Sequence, residues 1–228
     1  MIKKIPVLDL KDGLAVSGKS GLRDTYQALQ TVFAPSSNPI DIAQGLKING
    51  ADEVYIADLD LIESKGHNIN DIKMVNTIIP VILDAGIKNT ESFSFFLDYA
   101  YKIIIPTETL ESIYYLYEIF EKYPKERIVV SVDVKYNELY SKNIDLTLSQ
   151  FKDVLIDVGA TQVILLDISG VGTQKGYNEK VLKEFEDLKD VLIIAGGLNK
   201  DSIEELEKIG IKKVLVGTSL HSGEITII

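Results

Sequence analysis

Two aspartates in matching surroundings are the clearest chemical signal in this chain. Asp9 sits in Val7-Leu8-Asp9-Leu10-Lys11 and Asp133 in Ser131-Val132-Asp133-Val134-Lys135. Each closes a short apolar, largely β-branched run that reads as a strand. Two opposed carboxylates suit general acid–base chemistry, one taking a proton while the other gives one. A strand-end aspartate can instead cap a loop or pair with a nearby lysine, here Lys11 or Lys135. The matched pair favours function. Asp58, Asp84 and Asp167 also end strands. Asp58 and Asp167 are repeat partners, and for both the better reading is that they hold loops. Clustered carboxylates could bind a divalent cation, but no spacing singles out a metal site, and none is expected.

The second signal is glycine. Ala195-Gly196-Gly197 and Gly217-Thr218-Ser219 each follow a strand. Glycine lets the backbone approach an anion closely, and hydroxyl and N–H groups complete the cup. Gly196, Gly197, Gly217 and Thr218 are therefore the expected phosphate ligands. The corresponding stretches of the first half read Asp84-Ala85-Gly86 and Pro106-Thr107-Glu108. Asp84 and Glu108 add negative charge, and Pro106 removes an N–H donor. That end should bind phosphate poorly, or take something uncharged or cationic. Thr107 and Lys11 stand beside these residues as weaker candidates. His67 lies in the loop after the second strand, where a histidine is more often solvated than catalytic, and it too is a weaker candidate. His221 reads as C-terminal filler.

These residues need a frame that brings them together, and an internal repeat supplies it. Gly50-Ala51-Asp52-Glu53-Val54-Tyr55-Ile56-Ala57-Asp58 matches Gly159-Ala160-Thr161-Gln162-Val163-Ile164-Leu165-Leu166-Asp167, 109 residues on. The match resumes as Lys65-Gly66 with Lys175-Gly176 and as Asp84-Ala85-Gly86 with Ala195-Gly196-Gly197. Strand-like runs cover residues 4–10, 53–58, 81–84, 102–105, 127–133, 162–167, 191–195 and 213–217. Helix-period segments cover 40–49, 69–76, 90–99, 110–122, 146–158, 178–189 and 200–209. Asn38 and Pro39 make a helix start, and Gly50, Gly159 and Gly210 make helix stops. Eight strands alternating with helices in two equivalent halves predict one (β/α)8 TIM barrel over 1–228, with half-barrels at about 1–122 and 123–228. Such barrels hold their active sites at the C-terminal ends of the strands, often with phosphate at strands seven and eight. A doubly wound open sheet is the alternative, but it does not explain the strand-for-strand match. No G-x-G-x-x-G follows the first strand, so a dinucleotide fold lacks its main support.

Two stretches break the pattern. The segment 11–39, with Gly13, Gly18, Gly21, Ser17, Ser20, Ser36 and Ser37, reads as a long structureless loop and hence a lid. Few residues follow Thr218-Ser219-Leu220, so the last helix must be short or missing, with the gap covered by a partner subunit or another segment.

Composition narrows the partners. The chain has 228 residues and a net charge of −10, which argues against nucleic acid or an anionic membrane. An anionic substrate would have to be held by local backbone dipoles. There is no cysteine, which excludes disulfides and thiolate chemistry. No apolar run is long enough to span a bilayer, and the cytoplasm is the expected compartment. No organic cofactor is signalled. The expected partner is a phosphorylated small molecule, with a homo-oligomer left open.

With these residues in view, the chain resembles the HisA/HisF family of histidine biosynthesis. The likeness runs over essentially the whole chain. It is carried by Ile5-Pro6-Val7-Leu8-Asp9-Leu10-Lys11-Asp12-Gly13, Ala57-Asp58-Leu59-Asp60, Asp167-Ile168-Ser169 with Gly172-Thr173, and Val216-Gly217-Thr218. The resemblance is nearer to the isomerase branch, which carries out an Amadori aminoaldose-to-aminoketose rearrangement of a substrate with two phosphates. It implies Asp9 as the base, Asp133 as its partner, and Gly172 and Thr173 as further phosphate ligands. The family reads Asp-Gly-Thr where this chain has Val171-Gly172-Thr173, so the family's expected acid is replaced by valine. Leu166, Asp84 and Pro106 also depart. The pattern is that of a divergent paralogue, on another phosphorylated sugar or a cofactor-pathway intermediate, or of a barrel that binds without turnover.

Overall fold

The computed structural model describes residues 1–18 and 21–228; Ser20, read above as part of the 11–39 segment, and its neighbour Lys19 lie outside the described residues. Among the described residues, eight parallel strands alternate with helices and close on themselves as a (β/α)8 barrel. The strands are β1 (Lys3–Lys11), β2 (Val54–Asp58), β3 (Val81–Asp84), β4 (Lys102–Pro106), β5 (Ile128–Lys135), β6 (Val163–Asp167), β7 (Leu192–Ala195) and β8 (Lys213–Val216). Closure is direct: β1 pairs with β8 in parallel from Lys3↔Lys213 to Pro6↔Val216. The open-sheet alternative is thereby excluded. The helices between and after the strands are α1 (Pro39–Ile48), α2 (Ile69–Ile78), α3 (Thr90–Phe96), α4 (Ile113–Lys122), α5 (Leu148–Val158), α6 (Glu179–Glu184), α7 (Lys200–Lys208) and α8 (Thr218–His221), with a further single helical turn, Leu59–Ile62, directly after β2.

Side-chain alternation along each strand sorts residues between two cores. Ile5, Tyr55, Ile82, Ile104, Val129, Ile164, Ile193 and Leu215, one from each strand, are buried together inside the barrel. The opposite face of the strands packs on the helices around residues such as Leu8, Ile56, Phe93, Phe151 and Phe185. Each fully buried side chain of this size stabilises the fold by roughly 1.5–3 kcal/mol relative to exposure. The same alternation decides which strand-end carboxylates face the axis. Asp9 lies in phase with Ile5 and Val7, Asp84 with Ile82, and Asp133 with Val129 and Ser131. Asp58 and Asp167 each follow an inward residue, Ala57 and Leu166, and fall on the other face.

The repeat is visible in hydrogen bonds. Asn89 and Asn199 cap α3 and α7 with the same reciprocal box, through Ser92 and Ser202. Asp58 accepts from Asn68 Nδ2 at 2.8 Å, and its repeat partner Asp167 accepts from Asn178 Nδ2 at 2.8 Å.

One expectation is corrected and one is narrowed. Segment 11–39 is not a structureless loop. Leu14–Ser17 turns back antiparallel on β1, and Gln27–Ala28 pairs with that strand in turn. The hairpin turn is pinned from below, because Asp12 N–H donates to Asp60 (2.7 Å) and Gly13 N–H to Asn68 (2.8 Å). The gap beside the short α8 is filled by the chain itself. Ile225 is buried in the outer core, Lys4 Nζ donates to the Thr226 carbonyl, and Ile228 lies against Gly50. No helix among the described residues is long and apolar enough to cross a membrane.

Candidate functional site

A cavity of about 560 Å³ opens at the C-terminal mouth of the barrel. Asp84 and Glu108 lie on one side, Gly196, Gly197, Gly217 and Thr218 on the other, and Asp9 and Asp133 stand between the two groups. Strands β1 and β5 stand half a turn apart in the strand order. Asp9 and Asp133 therefore face each other from opposite walls.

Their surroundings differ. Asp133 is buried and braced: Ser131 Oγ donates to Oδ1 (3.0 Å), and Glu108 N–H (3.0 Å) and Thr107 Oγ1 (3.3 Å) donate to Oδ2. Thr107 also accepts from Asp133 N–H, so it locks the strand end from both directions. The Asp9 carboxyl, half-buried, accepts no hydrogen bond from the described residues and looks into the cavity. Among the described residues, neither aspartate pairs with a lysine. Lys11 donates to the Arg23 carbonyl, and Lys135 lies over the rings of Tyr136 and Tyr140.

Burial drives the electrostatics. Desolvation pushes the Asp9 carboxyl up to about 7; Arg23 opposes the rise and Asp84 adds to it. Burial likewise pushes Asp133 to about 7, with Asp84 again contributing. Asp84 rises to about 6, chiefly by burial, although Gly86 N–H donates to it at 3.0 Å. Three carboxyls at one mouth with values near neutrality can exchange protons at physiological pH.

The composition of the mouth was only partly foreseen. Arg23, from the folded-back segment, enters the cavity and makes a two-pronged pair with Glu108 at 3.0 and 3.3 Å. Lys142 reaches Glu108 from outside at 3.3 Å. Burial pulls the Arg23 pKa down, but the bond to Glu108 outweighs it and holds the guanidinium firmly charged. Tyr26 and Tyr55 also line the cavity. Burial and the nearby Asp9 push the Tyr26 phenol up to about 12. Nothing local marked Arg23, because it is brought in by the hairpin and not by a strand end. The fold-back itself needs glycine at position 18, where a Cβ would overlap the Tyr26 ring.

The remaining candidates separate by position. Gly172 and Val171 line the cavity, and Val171 offers only its isopropyl group there. Thr173 does not line it; its hydroxyl donates to the Gly170 carbonyl (2.7 Å) and lies behind Gly197. Asp58 is fully buried and caps the turn after β2, accepting from Leu61 and Asn68 N–H groups. Asp167 caps the turn after β6 through Ser169 N–H. His67 is exposed and outside the cavity. Asp58, Asp167 and His67 are thus not placed to supply a proton in the cavity.

His221 corrects its expected role as filler. It is 3% exposed. Its Nε2 lies 2.8 Å from the Val7 carbonyl and its Nδ1 2.9 Å from Thr31 Oγ1. A carbonyl can only accept, so Nε2 carries the proton and Nδ1 accepts from the threonine. Val32 N–H closes the contact on the His221 carbonyl at 3.0 Å. His221 therefore ties the folded-back segment to β1 beside the glycine loops. Burial lowers its pKa, opposed by the Val7 bond.

At the glycine side, Gly196 and Gly197 have φ of 100° and 71°. A Cβ on Gly196 would lie 2.5 Å from the Asp167 carbonyl oxygen, and one on Gly197 2.5 Å from that of Gly170. Among the described residues, the backbone N–H groups of Gly196, Gly197, Gly217 and Thr218 have no protein acceptor. No group of three or more His, Asp or Glu side chains among the described residues is arranged to hold a metal ion.

Fold and site define the class: a (β/α)8 barrel whose mouth joins opposed aspartates to open glycine loops. Residues 3–226 match the family model described as histidine biosynthesis protein, and the chain belongs to that family. An uncharacterized protein of Methanocaldococcus jannaschii is 40% identical over 228 residues, covering 97% of this chain and 94% of its own. The 1-(5-phosphoribosyl)-5-((5-phosphoribosylamino)methylideneamino) imidazole-4-carboxamide isomerase of Ruminiclostridium cellulolyticum is 31% identical over 230 residues, covering 96% and 94%. The isomerase of the same name from Methanosphaera stadtmanae is 27% identical over 232 residues, covering 98% and 95%.

Proposed function

We propose that this chain is an isomerase of a phosphorylated, sugar-like metabolite and works by proton transfer between Asp9 and Asp133. The observation that carries the reading is the pairing of these carboxyls, on opposite walls of one cavity and both shifted to about 7. A base must be ionised and an acid protonated in the same complex, and two groups titrating near neutrality allow both. Asp9, whose carboxyl accepts no hydrogen bond among the described residues, is the base that lifts a proton from the carbon next to the reacting carbonyl or imine carbon. Asp133, oriented by Ser131, Thr107 and Glu108, is the partner that protonates the departing ring oxygen. The substrate's phosphate would sit on Gly196, Gly197, Gly217 and Thr218, with Gly172 beside them.

The nearest named activity is the histidine-pathway aminoaldose-to-aminoketose rearrangement of the family's isomerase branch. The alternative is a different phosphorylated substrate. Val171 and Pro106 favour it, because each removes a polar or donor group that the family pattern supplies, and Asp84 favours it by adding a carboxyl at the end where a second phosphate would sit. A spectrophotometric assay with the histidine-pathway aminoaldose at saturation tests the first form. Turnover that vanishes in Asp9→Asn supports the isomerase and the base. Absence of turnover, together with stabilisation by phosphate esters, transfers the chemistry to the alternative. Ligand binding without turnover of any phosphosugar would leave a binding protein.

A further inference from the structure

The two ends of the cavity are repeat partners with opposite chemistry. Gly196, Gly197, Gly217 and Thr218 correspond to Ala85, Gly86, Pro106 and Thr107, each 111 residues earlier. Among the described residues, the four second-half N–H groups have no protein acceptor. Three of their four first-half counterparts cannot serve an anion. Gly86 N–H donates to Asp84 Oδ1 (3.0 Å), Thr107 N–H donates to the Ser131 carbonyl (3.0 Å), and Pro106 has no N–H. The next N–H, of Glu108, donates to Asp133. Where the second half has the methyl of Ala195, the first half has the carboxylate of Asp84. Among the described residues, the cavity is lined by four carboxyl groups against one guanidinium, and Arg23 is already committed to Glu108. Among the described residues, the second oxygen of Asp84, Oδ2, has only a long contact from Tyr55 Oη at 3.5 Å, and the Asp9 carboxyl has no hydrogen-bond partner.

Resting on the phosphate reading above, we propose that the ligand carries a single phosphate and, at its other end, a protonated amine or amidine held by Asp84. A second phosphate at that end would meet carboxylates in a desolvated cavity, whereas an ammonium would offset their mutual repulsion.

The test uses the full-length chain with three matched series of about three to six carbons: alkyl phosphates, ω-aminoalkyl phosphates and α,ω-bisphosphates. Affinities are measured by calorimetry, with inorganic phosphate as the reference. The best aminoalkyl phosphate should bind about tenfold more tightly than its alkyl counterpart, and the bisphosphate more weakly than either. Asp84→Asn should remove the amine preference while alkyl phosphate binding stays unchanged. Glu108→Gln frees Arg23, so it should strengthen the bisphosphate and weaken the amine; this opposite sign does not follow from general loss of folding. Equal binding of amine and alkyl series, or a bisphosphate that binds most tightly, overturns the proposal and leaves the phosphate site standing. Failure of every series, inorganic phosphate included, overturns the phosphate reading and the proposal with it.

Discussion

Asp9 shows how one side chain can be costly to the fold and useful to the site. Its carboxyl titrates at about 7 in the fold against 3.8 when unburied. With the folded value raised, the unfolded chain gives up this proton first as pH rises. Stability is therefore lost between about pH 4 and pH 7 and stays level above that. Asp9→Asn should then stabilise the fold at pH 8 by roughly 1–3 kcal/mol, with no gain near pH 3.5, while turnover falls by roughly 100- to 10,000-fold. Denaturant melts at the two pH values check it; equal melts at pH 8 would show that the carboxyl is not desolvated. His221 has the opposite sign. Its folded pKa is depressed, so its contribution is full above about pH 6.5 and is lost as pH falls through the folded value. His221→Ala should cost about 1–3 kcal/mol at pH 8, because Thr31 and Val7 lose their partner. The difference between wild type and variant should shrink on acidification. A constant difference from pH 8 to pH 5 would refute the buried neutral imidazole.

At the scale of elements, the glycine loops and the folded-back hairpin decide what the strand ends can do. Gly197 has φ of 71°, and a Cβ there would lie 2.5 Å from the Gly170 carbonyl oxygen and 3.1 Å from Thr173 Oγ1. Gly197→Ala combines left-handed strain with a backbone clash. It should weaken phosphate binding at least about tenfold and destabilise the chain by roughly 1–3 kcal/mol, read by calorimetry and thermal melts. Unchanged affinity would remove this loop from the site. That the loops after β7 and β8 line the cavity was legible, because Gly196-Gly197 and Gly217-Thr218 each directly follow a strand of the ring. The hairpin was not. Leu14–Ser17 is a short run among glycines and serines, and its pairing depends on the exposed edge that β1 presents after leaving the barrel. Arg23 followed from that pairing, so no local pattern could have marked it.

For the whole molecule, closure rests on each end of the chain finding the other. The C-terminal tail packs along the first strand and α1 through Ile225, Thr226 and Ile228. Removing residues 224–228 should expose the outer core beside the short α8 and cost roughly 2–4 kcal/mol, most of it from Ile225. Chemical denaturation of the truncated chain checks this; an unchanged midpoint would show that the tail is a passive cover.

Much of this protein was already determined along the chain. The repeat, the eight β-branched runs and their helical spacers impose a two-fold barrel, because only ring closure lets equivalent strands pair equivalently. The strand-end aspartates and the glycine loops then follow from position in the ring. Alternation also separates Asp9, Asp84 and Asp133, which face the axis, from Asp58 and Asp167, which do not; that distinction lay in the sequence as parity with Ile5, Ile82, Val129, Tyr55 and Ile164. Tertiary structure alone decided the rest. It brought Arg23 onto Glu108 and His221 between Val7 and Thr31, across separations of 85, 214 and 190 residues. It also raised the mouth carboxyls toward neutrality, since desolvation is a property of the surrounding packing and not of any residue or motif.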